Sequence, residues 1–592
     1  RDDAAEQALA ERRGAAESLD EDRILRSLES FVTATVRTNW YQRDDRGAAK
    51  PYGAFMLDSA RLADPGPVVP HREIFVHSDD VEGIHVRSGT VARGGLRFSD
   101  RPEDYRTEVL GLMKTQVVKN APIVPVGAKG AFVRRNPDTS PAQAYSTFVR
   151  GMLDLADNIV DGRIVHPDRT VVHGGDDAYL VVAADKGTAR FSDLANSIAA
   201  EYDYWLGDAF ASGGSSGYDH KAMGITARGA WVAVREHFTD LGIDVETTEV
   251  TAVGIGDMSG DVFGNGMLLS PHLRLVGAFD HRHIFLDPDP DTARAYAERR
   301  RLFELPGSSW DDFDRDVLSA GGGVWPRSAK SVTVPEPARR LLGLSHPTTT
   351  PDELIKALLT APVDLLWNGG VGTYVKASSE SHTEAADPAN DPVRVDASQL
   401  RCRVVGEGGN LGFTQRARIE FAAAGGRVNA DFIDNAAGVA TSDAEVNLKI
   451  ALESARRRGG LTLEERNRLL DDARDEVART VLRTNRDQAV ALGLAVSRAA
   501  RLLGRHERLI IHLETGGGLR RSTEVLPTVQ ELAARAGAGR GLTRPEIAVL
   551  LARSKNVVCR DLLESDVPDD PVFAGVALEY FPAGMRAVLR DE

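Results

Sequence analysis

Two lysines ten residues apart are the side chains in this sequence with the clearest capacity for chemistry. Lys119 follows Gln116 by three residues, and Lys129 lies between Gly127 and Gly130. A lysine among small residues in a partly dry cleft loses its proton more readily, because desolvation disfavours the ammonium form. Such a lysine can act as a base or hold water against an imine, while the other lysine stays charged and holds a carboxylate. The pair predicts chemistry at the α-carbon of an amino acid.

The composition favours a soluble enzyme that acts on a small anionic molecule. The chain has 592 residues, 42% of them hydrophobic and 27% charged, which is ordinary for a globular protein of about three domains. The net charge of −15 argues against nucleic acid or an anionic membrane as the main partner. Between Arg93 and Arg134, however, Lys and Arg outnumber Asp and Glu. This local basic stretch predicts an anionic substrate site.

Further features narrow the class of protein. With Cys402 and Cys559 as its only cysteines, the chain has no disulfide framework and is a poor candidate for a cysteine zinc site. Because residues 281–283 offer histidines without further metal ligands at useful spacing, we predict no metal. No apolar run approaches the ~20 residues that cross a bilayer, and the charged start at Arg1 does not resemble a signal peptide. We expect a cytoplasmic enzyme and, since the chain lacks an initial Met, a piece of a longer protein.

The pattern along the chain predicts an α/β protein with four regions. Residues 1–50 form a helical N-terminal segment, and residues 51–222 mix strands and helices in a substrate or catalytic domain with a mixed sheet. Residues 223–430 alternate strands and helices, which is typical of a Rossmann-like parallel sheet. Residues 431–592 form a mostly helical C-terminal region, with helix starts at Thr462 and Thr543.

The elements around the two lysines follow from hydrophobic spacing. Apolar residues at helical intervals predict a helix over 102–119, which Lys119 closes. Residues 121–126 are apolar and predict a short buried strand that ends at Gly127 and leads to Lys129. Further on, residues 245–253 predict the first strand of the Rossmann-like region. Strands over 72–77 and 273–279 are predicted from similar apolar runs.

A glycine-rich turn follows that first strand. Glycines in a GxGxxxG pattern let the backbone approach a pyrophosphate, and the helix after them offers its N–H groups. An acid at the end of the next strand, 20 residues after the third glycine, binds the ribose 2′-hydroxyl of NAD and repels a 2′-phosphate. We therefore predict NAD as cofactor, with His281 and Arg282 softening the discrimination against NADP. The predicted cofactor residues here are Gly254, Gly256, Ser259, Gly260, Asp261, Val262 and Asp280.

These motifs, in this order, resemble glutamate dehydrogenases. They are Arg93-Gly-Gly-Leu-Arg, Gln116-x-x-Lys-Asn, Gly127-Ala-Lys-Gly, Asp185, the dinucleotide turn, Gly406-Glu-Gly-Gly-Asn and the segment 435–442. The segments 97–101 and 367–373 are closer to the large NAD-specific class of bacterial glutamate dehydrogenases. The resemblance covers residues 70–450. Members of that class are longer, so we expect the catalytic region and part of the C-terminal helices.

The resemblance implies a role for each matching residue. Lys129 and Asp185 match the catalytic lysine and aspartate, and Arg93 stands where small family members carry a lysine for the distal carboxylate. As plain structural alternatives, Asp185 or Ser442 could cap a helix. The implied substrate residues are Arg93, Gly95, Gln116, Lys119, Val439 and Ser442, and those implied near the nicotinamide are Thr226, Gly408 and Asn410.

The implied reaction is the reversible NAD-dependent oxidative deamination of L-glutamate to 2-oxoglutarate and ammonia. Lys129 would assist water attack on the iminium ion, and Asp185 would move protons to and from the substrate nitrogen. A dehydrogenase of an apolar amino acid is one alternative, disfavoured by Arg93 and Ser442. A non-catalytic NAD-binding regulatory module is the other, disfavoured by Lys129. The helices after residue 450 lead us to expect a homo-oligomer.

Overall fold

The computed structural model describes residues 3–44, 46–66, 69–188 and 190–590. The chain divides into two units. The first contains residues 1–218, 442–474 and 571–592, and the second contains residues 219–441 and 475–570. Each unit has its own main sheet and its own hydrophobic core. The C-terminal part of the chain therefore contributes to both units.

The first unit is built on an eight-stranded mixed sheet in the order β10-β5-β6-β4-β3-β2-β1-β9. β5 runs parallel to both β10 and β6, and the remaining pairs are antiparallel. β7 and β8 form a separate hairpin. The strands are β1 Thr35–Thr38, β2 Gly53–Leu57, β3 Arg72–His77, β4 Val81–Arg87, β5 Ala92–Phe98, β6 Val126–Arg134, β7 Asn158–Val160, β8 Arg163–Val165, β9 Val171–Val172 and β10 Leu180–Ala184.

Helices cover both faces of this sheet. Phe132 of β6 packs with Phe148 and Ile198 on one face, whereas its neighbour Ala131 packs with Val109 on the other. This alternation follows from the two-residue period of a strand. The helices are α1 Asp3–Gly14, α2 Leu19–Ala34, α3 Tyr105–Lys119, α4 Pro141–Leu153 and α5 Ser192–Glu201.

One predicted strand is wrong in a way that matters for the site. Residues 121–125 form a turn, and the strand begins at Val126 and runs through Lys129 to Arg134. Pro122 and Pro125 explain the difference, because proline cannot donate to a strand ladder. Gly127 is the second residue of this strand. The strand packs closely against α3 at this point, because a Cβ on Gly127 would lie 2.6 Å from Val117 N. Lys129 is therefore held inside a strand and not in a loop after one.

The second unit contains a six-stranded sheet in the order β14-β13-β12-β11-β17-β20. β12, β11, β17 and β20 are parallel, as the sequence predicts, and β13 and β14 add an antiparallel edge. The strands are β11 Val250–Ile255, β12 Leu273–Phe279, β13 His283–Leu286, β14 Gly323–Pro326, β15 Val332–Thr333, β16 Thr348–Thr349, β17 Leu365–Asn368, β18 Val375–Lys376, β19 Val395–Asp396 and β20 Val404–Glu407. The first strand thus begins five residues later than predicted.

The helices of the second unit before residue 436 are α6 His220–Met223, α7 Ile225–Thr239, α8 Asp261–Gly266, α9 Thr292–Glu304, α10 Glu336–Leu342, α11 Pro351–Leu359, α12 His382–Ala385, α13 Gln415–Ala423 and α14 Asp431–Asp434. Of these helices, α7 packs against β20, and α9 and α11 pack against β12.

The remainder of the chain is mostly helical, which confirms the predicted fold class. Capping boxes start α16 and α20, where Thr462 pairs with Glu465 and Thr543 pairs with Glu546. No helix in the described ranges has the length and apolar character needed to cross a membrane. The helices are α15 Ala436–Arg457, α16 Leu463–Asp472, α17 Arg474–Ser497, α18 Ala499–Thr515, α19 Val529–Gly537, α20 Arg544–Leu563, α21 Ala574–Tyr580 and α22 Arg586–Leu589.

Candidate active site

Lys129 and Asp185 form an ion pair in the first unit. Lys129 Nζ lies 2.6 Å from Asp185 Oδ2, and the two side chains are 10% and 20% exposed. Lys129 belongs to β6, and Asp185 immediately follows β10. The backbone N–H of Asp185 donates to Thr188 Oγ1, which fixes the start of the turn. The structure thus joins two residues that are 56 positions apart in the sequence.

Arg97 is a second cation on the same carboxylate. Its Nε donates to Asp185 Oδ2 at 3.0 Å, and its Nη1 donates to Glu108 Oε1 at 2.6 Å. Burial alone would raise the pKa of Asp185, but the charge of Lys129 and the hydrogen bond and charge of Arg97 outweigh it. The pKa of Asp185 therefore lies well below its usual range, and the carboxylate is ionised at neutral pH.

Two glycines of β5 make this close packing possible. A Cβ on Gly95 would lie 3.0 Å from Asp185 Cβ and 3.3 Å from Lys129 Nζ. A Cβ on Gly94 would lie only 1.6 Å from the carbonyl oxygen of Ala128. The Gly-Gly pair after Arg93 is therefore required by the approach of β6 and Asp185 on either side of β5.

Arg93 begins a second polar group on the same strand. Arg93 is 2% exposed, and its Nη2 donates to Ser212 Oγ at 3.2 Å. Ser442 Oγ donates to the same Ser212 oxygen at 2.7 Å. Arg93 Nη1 lies 3.7 Å from Asp443 Oδ1. A buried guanidinium that donates to Ser212, which also accepts from Ser442, is suited to a carboxylate.

The end of α3 is tied to this group through Asn120. Gln116 Nε2 donates to Asn120 Oδ1 at 2.7 Å, and Asn120 Nδ2 in turn donates to the carbonyls of Arg93, at 3.3 Å, and Val126, at 3.0 Å. Lys119 is the last residue of α3, as the sequence predicts, and it is half-buried. Asn120 thus fixes the C-terminal turn of α3 against β5 and β6.

The glycine turn of the second unit has almost no space for side chains. A Cβ on Gly254 would lie 2.4 Å from the Phe263 ring, and a Cβ on Gly256 would lie 2.8 Å from Phe263 Cβ. Gly256 also adopts φ +136°, a conformation that other residues rarely adopt. The Asp257 carboxylate accepts hydrogen bonds from the backbone N–H groups of Ser259 and Gly260 at 2.8 and 3.2 Å. Asp261 and Val262 then begin α8.

Asp280 lies at the end of β12 with its carboxylate fixed by its own turn. It accepts hydrogen bonds from the N–H groups of Arg282 and His283 at 2.8 and 2.6 Å. The Arg282 guanidinium lies 3.4 Å from Asp280 and 3.6 Å from Asp257. Arg282 thus offsets part of the negative charge of Asp257 and Asp280. This weakens the repulsion that the two acids would exert on the 2′-phosphate of NADP.

The C-terminal ends of β17 and β20 lie at the same edge of the parallel sheet as the glycine turn after β11 and Asp280 after β12. The Gly409 N–H donates to the carbonyl of Asn368 at 2.7 Å, and Asn435 Nδ2 donates to Asn410 Oδ1 at 2.8 Å. A Cβ on Gly408 would lie 2.4 Å from Val262. The Asn368 amide is fully buried and makes no hydrogen bond with any residue that the structure describes. Its unsatisfied donors and acceptor are unusual for a buried amide.

Thr226 and Val439 lie near the starts of α7 and α15. A Cβ on Gly438 would lie 2.6 Å from Thr226 Oγ1, so these helix starts touch. Val439 follows directly and is half-buried. Ser442 lies in the interior of α15, and α5 begins at Ser192. The alternative in which Ser442 or Asp185 is a helix cap is therefore wrong.

Among the described residues, two clusters have side-chain atoms close enough to share a metal ion: Asp157, His166 and Asp176, and Asp257, Asp280 and His281. In each cluster an aspartate already forms an ion pair with an arginine. Arg37 donates to Asp157 at 2.6 Å, and Arg282 approaches Asp280. The arginine charges compete with any cation at both places.

Several site residues lie outside the sequence prediction. Arg97 could have been found, since residues 93, 95 and 97 share one face of a strand by its two-residue period. Lys221 donates from Nζ to the carbonyl of Ser259 at 2.9 Å, which places a cation at the glycine turn. Ser212 and Asp443 had no local signal, because only the folded chain brings them to Arg93. Asn368 lies in the segment 367–373 that carries the resemblance, but its burial was not predicted.

Comparison with known proteins gives a consistent result. Residues 8–495 match the family described as bacterial NAD-glutamate dehydrogenase, catalytic domain, and residues 539–592 match glutamate dehydrogenase, C-terminal. The chain is 54% identical to an NAD-specific glutamate dehydrogenase of Pseudomonas aeruginosa, covering 98% of this chain and 36% of that protein. With the corresponding protein of Mycobacterium tuberculosis the identity is 52%, over 96% of this chain and 36% of the relative. The chain thus spans about a third of the length of these curated relatives.

Solved structures are more distant. A hetero-hexameric glutamate dehydrogenase from Thermus thermophilus aligns with a TM-score of 0.45 and 15% identity, over 92% of this chain and 96% of that one. The glutamate dehydrogenase of Plasmodium falciparum aligns with a TM-score of 0.44 and 16% identity, over 94% and 95%.

Proposed function

Because the chain belongs to the family of bacterial NAD-glutamate dehydrogenase catalytic domains, we propose that it oxidatively deaminates L-glutamate with NAD. L-glutamate, NAD⁺ and water give 2-oxoglutarate, ammonium, NADH and a proton. The observation that carries the proposal is the Lys129–Asp185 pair at 2.6 Å, on the same sheet as the buried guanidinium of Arg93.

The substrate's two carboxylates call for two cationic holders. Arg93, with Ser212 and Ser442, suits the distal carboxylate because a guanidinium and two hydroxyls supply directional donors. Lys119 and Gln116 at the end of α3 would hold the α-carboxylate. Such a polar, charged group disfavours an apolar amino acid as substrate, since Arg93 Nη1, which makes no hydrogen bond with a described residue, would gain no acceptor from it.

The residues of the second unit fit a dinucleotide, because glycines stand where the turn after β11 packs against Phe263. The buried amide of Asn368 also makes no hydrogen bond with any residue that the structure describes. When bound, NAD supplies the acceptor for the hydride of the substrate's α-carbon. Asp280 would hold the adenosine ribose. The residues proposed to hold the diphosphate and nicotinamide parts are Gly254, Gly256, Ser259, Gly260, Asp261, Val262, Thr226, Gly408 and Asn410.

Proton transfer would be shared between Lys129 and Asp185. With its lowered pKa, Asp185 is a weak base and is ionised at neutral pH. Lys129 in the amine form would take a proton from the water that attacks the iminium carbon. Asp185 would exchange protons with the substrate nitrogen and stabilise the positive iminium ion.

The test is NADH formation from L-glutamate and NAD by the purified chain, with NADP and leucine as alternative reactants. Lys129→Ala is expected to lower kcat by about 10²- to 10⁴-fold while NADH binding is retained. Lys330→Ala, at an exposed lysine of the second unit, is the matched control. NADH binding without glutamate turnover in the unaltered chain would contradict the proposal.

Homo-oligomer formation is also proposed. Ile24, Leu28 and Val32 of α2 recur every four residues and are 54–60% exposed, so they form an apolar stripe suited to association. Light scattering of the unaltered chain and of a variant with Leu28→Glu would test it, and an unchanged mass in both would count against this surface.

A further inference from the structure

Arg93 lies in a buried polar cluster that extends beyond the residues so far assigned to the substrate. Arg93 Nη1 and Asp443 Oδ1 are 3.7 Å apart, and neither makes a hydrogen bond with a described residue. In the described ranges, Asp443 is the acidic side chain that forms an ion pair with Arg93. Burial raises the pKa of Asp443, and the charge of Arg93 opposes this. Because Asp443 forms an ion pair with Arg93, the orientation of the Arg93 guanidinium depends on the position of the Asp443 carboxylate.

Asp443 is held by Asn447, one turn later on α15. Asn447 Nδ2 donates to Asp443 Oδ2 at 3.1 Å. The same nitrogen donates to the hydroxyl oxygen of Tyr580 at 2.9 Å. An amide nitrogen has two hydrogens, so both bonds can form at once. Asn447 thus links the neighbour of Arg93 to a residue near the C-terminal end of the described chain.

Tyr580 ends α21, within the segment 571–592 that belongs to the first unit. Tyr580 is 52% exposed, and its ring meets Phe581 edge-on with ring centroids 5.3 Å apart. Its hydroxyl nevertheless points to Asn447. The residue lies outside the match to the catalytic domain and inside the match to the C-terminal family, at 539–592. A segment outside the match to the catalytic-domain family therefore contacts Asn447, which in turn bonds to Asp443 beside Arg93.

We propose that Asp443, Asn447 and Tyr580 position the guanidinium of Arg93, so that the C-terminal segment sets the affinity for ligands with a distal carboxylate. The inference rests on the proposed function, because it takes Arg93 as the residue that holds that carboxylate. Tyr580 is a positioning residue and does not touch the substrate. Without the Tyr580 hydroxyl, Asn447 loses one of its two hydrogen-bond partners. The Asp443 carboxylate beside Arg93 then becomes more mobile.

The effect is expected on ligands with a distal carboxylate alone. The probes are 2-oxoglutarate and 2-oxopentanoate, which share a five-carbon chain and differ in that carboxylate. Tyr580→Phe should weaken 2-oxoglutarate binding by about 5- to 10-fold, the range of one lost hydrogen bond. Binding of 2-oxopentanoate should not change. Asn447→Leu should weaken 2-oxoglutarate binding at least as much.

The measurement is calorimetric titration of both keto acids into the chain saturated with NADH. The double variant Tyr580→Phe with Asn447→Leu should bind 2-oxoglutarate as Asn447→Leu alone does, since the hydroxyl acts through the amide. Tyr41→Phe, at an exposed tyrosine of the same unit, is the control. Because Tyr580 is 52% exposed and the change removes a single oxygen, Tyr580→Phe alone keeps the test decisive if Asn447→Leu fails to fold.

Each outcome bears on one proposal. Equal losses for the two keto acids, no loss in Tyr580→Phe, or losses that add in the double variant would overturn the positioning role. An unaltered chain without preference for 2-oxoglutarate would also overturn it. An unaltered chain that prefers 2-oxoglutarate but forms no NADH from glutamate would contradict the proposed function, and the binding ratios would still decide the role of Tyr580.

Discussion

The two units present their candidate functional residues in opposite ways. In the first unit, charged side chains lie buried on a mixed sheet and hold one another: Lys129 and Arg97 both contact Asp185. In the second unit, a turn of glycines packs against Phe263 and has no room for added atoms. The first arrangement should be sensitive to loss of charge, and the second to added bulk. Substitutions matched between the units can test this contrast.

The largest effect is expected for a neutral replacement of Asp185. Asp185→Asn keeps the shape but removes the charge between two cations, so kcat for glutamate should fall by about 10²- to 10⁴-fold while NADH affinity stays the same. Asp280→Asn, the same change at the strand end of the second unit, should instead raise KM for NAD and leave kcat nearly unchanged. Steady-state kinetics would measure both, and a large kcat loss in Asp280→Asn would break the contrast.

Added bulk should have the next largest effect. Gly256→Ala combines a φ of +136° with a Cβ 2.8 Å from Phe263, and a strained backbone of this kind costs about 1–2 kcal/mol. NADH affinity, followed by fluorescence titration, should fall by about tenfold. Gly537→Ala is the control, since a Cβ there meets nothing within 4 Å. Unaltered NADH binding in Gly256→Ala would show that the turn tolerates a side chain.

The third prediction concerns stability, because each unit contains a buried histidine with a lowered pKa. Burial, with the charge of Arg87 adding to it, lowers the pKa of His85 in the first unit to about 3. Burial likewise holds the pKa of His237 in the second unit well below its usual value. Because the unfolded chain binds these protons below about pH 6.5 and the folded chain does not, the free energy of unfolding should fall between about pH 6.5 and 3.

For each histidine the slope is at most about 1.4 kcal/mol per pH unit. His85→Gln should flatten the pH dependence measured by denaturant unfolding, whereas His77→Gln, at an exposed position of the same sheet, should not. Equal slopes for His85→Gln and the unaltered chain would mean that His85 takes up its proton while the protein is folded.

The smallest effect is expected for Lys221. Lys221→Met removes a cation that lies against the Ser259 carbonyl, and a single exposed charge is worth less than about 1 kcal/mol. NADH affinity should fall about threefold at low salt and less at high salt, because ions screen the interaction. Lys330→Met should have no effect. A salt-independent loss in Lys221→Met would indicate a packing role instead.

Local patterns predicted much of the fold. The strands Arg72–His77 and Leu273–Phe279 agree with the predicted ranges, because their apolar runs are unbroken by proline. The helix starts at Thr462 and Thr543 follow from capping residues. The start of β6 was mispredicted, since the apolar residues 121–125 outweighed the two prolines among them.

The candidate site divides in the same way. Lys129, Asp185 and Arg93 stand in recognisable motifs, and the structure brings Lys129 into contact with Asp185. Ser212 and Tyr580 carry no motif, because their contacts join positions 230 and 133 apart. Contacts of that range depend on the complete packing of the chain and leave no periodic trace in the sequence.

The close approach of β6 to β5 has a consequence for anyone who would redirect this protein to new substrates. A mutant library that varied Gly94 would consist almost entirely of misfolded members, since even a methyl group there meets the Ala128 carbonyl at 1.6 Å. Ser212 accepts a hydrogen bond from Arg93, Ser442 donates to Ser212, and both positions already carry a side chain. Selections for altered preference should therefore search these two positions and leave the strand's glycines untouched.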